Sequence, residues 1–100
     1  MLLEVCTVSR KTPLDGKLEI TPASAQRAAS LGDAFPLRSG GRAGQARLTM
    51  FACSCARAGA SGQHAHHFLE SDVLRALPPG SGVRVEMDEA DGALRVEPIA

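Results

Sequence analysis

Lys17–Gly32 reads KLEITPASAQRAASLG, and its two halves carry different periods. Leu18 and Ile20 alternate with polar neighbours, the period-two pattern of a strand with one buried face. Thr21 then offers a side-chain oxygen to the unpaired N–H groups of a helix start. Pro22 suits the first turn, where no intrahelical donor is needed. Ala25, Ala28, Ala29 and Leu31 give an apolar stripe, and Gly32 can take the left-handed conformation that stops a helix. The stretch predicts a short strand running directly into a helix of about ten residues.

Working outward, residues 34–39 (AFPLRS) read as a strand and residues 40–44 (GGRAG) as a glycine-rich turn. Residues 45–56 (QARLTMFACSCA) read as a longer strand. Its Leu48, Met50 and Ala52 fall on one face and Phe51, Cys53 and Cys55 on the other. Both faces are apolar, which predicts cover on both sides. A loop, RAGASGQ, and an extended segment, HAHHFL, follow at 57–63 and 64–69. ESDVLRALPPG, residues 70–80, predicts a second helix. Ser71 would cap it, Val73, Leu74 and Leu77 would form its apolar face, and Pro78 and Pro79 would end it. GVRVEMDEADGALRVEPI, residues 82–99, is a β-hairpin signature. Val83, Val85 and Met87 alternate with charged residues, EADG turns, and Leu94 and Val96 alternate again.

Residues 18–50 and 66–98 thus share one plan: strand, capped helix, strand, turn, strand. With an N-terminal strand in LLEVCTV, residues 2–8, the expected fold is mainly β with two short helices (α+β). It is a seven-stranded open pseudobarrel built from two β-α-β-β units in a single domain, residues 1–100, with a helix plugging each end. One hundred residues leave no room for a second core.

Formal net charge is zero, but it is unevenly spread. Residues 1–48 hold seven Lys/Arg against four Asp/Glu, and residues 49–100 hold four against seven. A basic N-terminal half can face phosphate even in a neutral chain. MLLEVCTVSRK has no apolar run long enough for a signal peptide, and no stretch reaches the roughly 18 apolar residues of a membrane span. The expectation is a cytoplasmic protein with no membrane partner and with reduced cysteines. Three cysteines, an odd number, argue against a disulfide framework and leave core thiols, metal ligands or redox groups.

The order of elements resembles the DNA-binding pseudobarrel domain of plant auxin- and abscisic-acid-response transcription factors. Bacterial relatives of that domain serve as recognition modules in restriction enzymes. The matching stretches are KTPLDGKLEITPASAQ, residues 11–26, and HHFLESDVLRALPPGSGVRVEMD, residues 66–88. Where that family usually carries a Trp before its second helix, this chain has His66, His67 and Phe68. ITPASAQRAASLG, residues 20–32, also resembles the swapped-hairpin family of bacterial transition-state regulators, which bind DNA as dimers.

The pseudobarrel resemblance implies a non-enzymatic module that clasps double-stranded DNA with two loops on one rim. Here the loops would be SRKTPLDGK, residues 9–17, and CARAGASGQHA, residues 55–65. Ser9, Arg10, Lys11 and Lys17 would meet phosphates, and Arg57, Gln63 and His64 would reach base edges. Arg pairs bidentately with guanine and Gln with adenine, while Lys neutralises phosphate.

Two other readings stay open. Cys53, Cys55, His64 and His66 supply two thiols and two imidazoles, a legitimate tetrahedral zinc set. Cys-x-Cys on a flat strand nevertheless converges poorly on one ion, because same-face neighbours lie about 7 Å apart. HAHHFLE resembles the first cupin motif, but no second histidine motif follows, which excludes a cupin centre. Alternatively the chain is an adaptor, its acidic EMDEAD hairpin facing a basic protein partner or its surface a second copy. Catalysis has only a chance trio to support it, Cys55 with His64 and Asp72 or Glu70. No phosphate-binding glycine loop precedes a helix, and no dinucleotide fingerprint is present.

Overall fold

The computed structural model describes residues 1–53 and 64–99. Its elements are β1 (Leu2–Thr7), α1 (Lys11–Asp15), β2 (Lys17–Ile20), α2 (Pro22–Ala28), β3 (Phe35–Ser39), β4 (Arg42–Cys53), β5 (His64–Glu70), β6 (Gly82–Asp88) and β7 (Ala93–Pro98). A 3-10 turn, Ala29–Leu31, continues α2, and a 3-10 helix, Asp72–Ala76, joins β5 to β6. The seven strands form one sheet in the order β1-β6-β7-β3-β4-β5-β2 that curls into a nearly closed barrel. All neighbours are antiparallel except β3 and β7.

The period-two residues fill the barrel. Leu18 and Ile20 of β2, Phe35 and Leu37 of β3, Leu69 of β5, Val83, Val85 and Met87 of β6, and Leu94 and Val96 of β7 form one buried cluster. Thr21 caps α2 by accepting from the Ser24 N–H at 3.2 Å, with Pro22 in the first turn. Ala25 and Ala28 face the core as expected. Ala29 is exposed, because the helix tightens to 3-10 geometry there and turns that position outward.

β1 and β2 end the strand order and share no ladder, so the seam between them is closed by side chains. Oε1 of Glu4 in β1 accepts both the Thr21 N–H at 2.9 Å and its hydroxyl at 3.1 Å. The Arg27 guanidinium of α2 donates to the Met1 sulfur at 3.0 Å. A carboxylate at the start of α2 also complements the helix dipole.

Several expectations need correction. The segment 9–17 is not an open arm: it contains α1, begun when the Ser9 hydroxyl accepts from the Lys11 N–H at 3.3 Å. Five residues do not hold a helix by propensity. Buried Thr12 anchors it by donating its hydroxyl to the Lys17 carbonyl at 2.8 Å. The second helix is 3-10 throughout. Leu77, which precedes Pro78, is extended (φ −77, ψ 128) and ends it there. The glycine-rich turn is only Gly40–Gly41, both at positive φ, and 42–44 already belong to β4. Nor are the two units equivalent in the sheet: β4 pairs with β5, whereas its counterpart β7 pairs with β3.

The cover expected on both faces of the long strand is also missing. Arg42–Ala46 of β4 pair with β3 and Arg47–Cys53 with β5, so the distal part of β4 runs beyond the end of β3. β2 reaches only as far as His67 of β5. The ends of β4 and β5 therefore project as a two-stranded arm, leaving Met50 65 % and Phe51 61 % exposed.

One close approach fixes α1 to the barrel. The Gly16 carbonyl accepts from the Ser71 N–H at 2.9 Å, and Ser71 donates its hydroxyl to the Gln45 carbonyl at 2.7 Å. Gly16 has φ +72, and a Cβ there would lie 2.6 Å from the Ser71 carbonyl oxygen. Gly16→Ala should cost at least about 1–2 kcal/mol of stability from backbone strain alone, with the clash in addition. Urea unfolding checks it, as a lower midpoint at unchanged slope. Gly92→Ala, also at positive φ (+65) but with nothing within 4 Å, should lose only the strain component.

Candidate functional site

Strand alternation and register place eight residues of β2, β5 and β4 on one outer face of the barrel. Lys17, Glu70 and Arg47 form one cross-strand row, and Glu19, Phe68 and Thr49 the next. His66 opposite Phe51 forms a third row beyond the end of β2. α1 lies over this face and contributes Lys11 and Asp15 to the wall of a groove of about 390 Å³. Lys17, Glu19, Thr49, Met50, Phe51, His66 and Phe68 complete it.

Phe68 points outward yet is only 7 % exposed, because lysine stems cover its ring. The Lys11 and Lys17 ammonium groups stand 5.6 Å and 5.9 Å from the ring centroid, within cation–π range. The His66 and Phe68 rings stack at 6.4 Å.

Both groove carboxylates are engaged by the protein's own donors. Glu19 Oε2 meets His66 Nδ1 at 2.8 Å, and Asp15 Oδ1 accepts the Lys17 N–H at 3.2 Å. Lys11 and Lys17 belong to none of the ion pairs among the described residues. The Thr49 hydroxyl is buried without a hydrogen-bond partner. The polar groups of the groove are thus two ammonium groups, two carboxylates each held by a protein donor, His66 and the buried Thr49 hydroxyl.

Of the expected phosphate contacts, Lys11 and Lys17 come together over Phe68. Arg10 is exposed, while the Ser9 hydroxyl is occupied in starting α1. Arg57, Gln63 and Cys55 lie outside the described residues. Cys53 and His64 are direct backbone partners across β4 and β5, and His66 lies two residues further along. Among the described residues no group of three or more His, Cys, Asp or Glu is placed to hold a metal ion. The acidic members of the chance trio hold arginines: Glu70 takes Arg47 at 2.9 Å and Asp72 takes Arg75 at 3.3 Å. No described helix is long and apolar enough to cross a membrane.

Sequence reading missed Glu19, Thr49, Met50, Phe51 and Phe68 as a group. Alternation assigned Phe51 to its face, but the group forms only when three strands are set side by side in register. The available signal was the fixed side-chain parity of β2, β4 and β5, which groups all of these but Met50 and needs the strand order to become useful.

Cys6 packs half-buried against the core. Burial, helped by the nearby Glu4 charge, raises its thiol from 9.0 to about 11. The thiol form is therefore held, as in a core thiol and unlike a nucleophile or ligand. Because the folded value is the raised one, its stabilising contribution is intact below pH 9 and is lost as pH rises through about 11. Wild type should lose more stability than Cys6→Ala over that interval. At pH 8, alkylation followed peptide by peptide should label Cys6 only after unfolding; rapid native labelling would contradict its protonated state.

No protein-family model matches the chain, and no curated protein matches it.

Proposed function

We propose that the chain is a non-enzymatic module that binds double-stranded DNA through the face carrying α1 and the β4–β5 arm. The observation that carries this reading is the groove in which Lys11 and Lys17, in none of the ion pairs among the described residues, share one lining with the exposed Met50 and Phe51 of the arm. Two elements far apart in sequence thereby border one surface, as a two-part clasp requires. Arg10 adds a third exposed cation beside α1. Lys and Arg position a protein on the phosphate backbone, and base edges are read from the adjoining segment, where Arg57, Gln63 and His64 stand in sequence.

Zero net charge sets a limit on this binding. A few phosphate contacts give modest affinity and a shallow salt dependence, not the steep slope of a strongly basic protein. A duplex titration at two or more ionic strengths tests it. Log affinity should fall linearly with log salt, and Lys11→Gln with Lys17→Gln should flatten the slope by about 0.9 per lysine removed. Affinity indifferent to salt would remove the reading.

A zinc-binding module is the second reading, favoured by the register that sets Cys53 opposite His64. Cross-strand partners have Cβ atoms about 5 Å apart, close enough for their donor atoms to share an ion. Cys55 and His66 would complete the set. Metal analysis of untagged protein should then find about one zinc per chain, lost in Cys53→Ser. Zinc far below stoichiometry ends this reading.

A further inference from the structure

The groove has more structure than contact with a phosphate backbone needs. A cationic ridge would serve that purpose. This surface is a concavity of about 390 Å³, near the lower end of the roughly 300–1,000 Å³ range of small-ligand sites. Its chemistry is divided. At one side two ammonium groups approach a single ring from α1 and β2. At the other, Met50 and Phe51 present exposed apolar and aromatic surface at the edge of the arm. Between them sits the Thr49 hydroxyl, buried and unpartnered, able to donate and to accept.

An occupant that satisfies these features needs a compact anion, a flat apolar body and a polar edge within a few ångströms of each other. We propose that the groove holds one nucleotide unit, its phosphate between Lys11 and Lys17, its base against Phe51 and a base-edge atom on the Thr49 hydroxyl. Asp15 and Glu19 also line the groove, each held by a protein donor (the Lys17 N–H and His66 Nδ1), so the phosphate is placed on the two ammonium groups and away from the carboxylates. A single hydroxyl reads donors and acceptors alike, so any of the bases fits. The unit can come from a strand with an unstacked nucleotide or from free mononucleotide. The claim goes beyond duplex binding, where every base stays paired and none can enter a groove of this shape.

The test uses the full chain and three probes at one ionic strength. They are a fully paired duplex, the same duplex with one unpaired nucleotide, and nucleoside 5′-monophosphates with inorganic phosphate as the control. Base stacking on an aromatic side chain predicts about tenfold tighter binding of the bulged duplex than of the paired one. Phe51→Ala and Thr49→Val should each pull that ratio toward one; Phe51 is largely exposed, and valine keeps the shape of threonine. If free mononucleotide is the source, it should shift the backbone resonances of Lys11, Thr49 and Phe51 where phosphate alone shifts only those of Lys11 and Lys17. Bulged and paired duplexes bound equally, with mononucleotides indistinguishable from phosphate, would overturn the groove assignment while leaving duplex binding standing. Mononucleotide shifts without binding of either duplex would support the groove and remove the duplex reading.

Discussion

The contact between Gly16 and Ser71 sets the geometry on which the outer face depends. Only a residue without Cβ lets the corner between α1 and β2 come within a backbone hydrogen bond of the chain leaving β5. Ser71 relays the contact to β4 through the Gln45 carbonyl, so three parts of the sheet are tied at one point. α1 is too short to persist alone. Pinned there, it holds Lys11 over Phe68 from above while β2 brings Lys17 from the side. Placement of the two cations is therefore a product of backbone packing and not of attraction between the lysines, which repel one another.

Charge in this molecule is organised locally. Arg38–Asp91, Arg84–Glu86 and Arg95–Asp88 are exposed or half-exposed pairs spread over the far side of the sheet, each of the kind worth under about 1 kcal/mol. They explain how the excess acid after residue 49 is tolerated without shaping the fold. In the groove the carboxylates are matched by a histidine and a backbone amide, and the lysines are left over. Zero net charge over the chain coexists with a small cationic surface because Lys11 and Lys17 converge on one ring and belong to none of the ion pairs among the described residues.

Strand periodicity made the barrel legible. Leu18 and Ile20, Val83, Val85 and Met87, and Leu94 with Val96 all face inward as their alternation requires, and the caps at Thr21 and Ser71 form. Elements decided by long-range contact were not legible. α1 exists because Thr12 is buried and Gly16 touches Ser71, 55 positions away, and neither contact is marked by a pattern in the sequence. The exposure of Met50 and Phe51 depends on how far β3 and β2 reach along their neighbours, a question of strand length across the sheet. For the same reason the lysines could be named from the pseudobarrel resemblance, while the ring beneath them, Phe68, reads in sequence as an ordinary core residue.

The position of β1 has a consequence for how the molecule is made. Its ladder runs to β6, with Leu2 opposite Glu86 and Thr7 opposite Gly82, and on its other side it shares no ladder with β2, the Glu4 carboxylate reaching Thr21 at the start of α2. During synthesis β1 leaves the ribosome before the other strands and has no strand to pair with until β2 to β5 and then β6 have followed. Its apolar stretch must stay unpaired for that time, since the β6–β7 hairpin that completes the sheet is translated after the other five strands. Such long sequence separation slows folding and lengthens exposure to other nascent chains. Chaperone demand in the cell should accordingly fall on the first strand more than on the helices or the central hairpins.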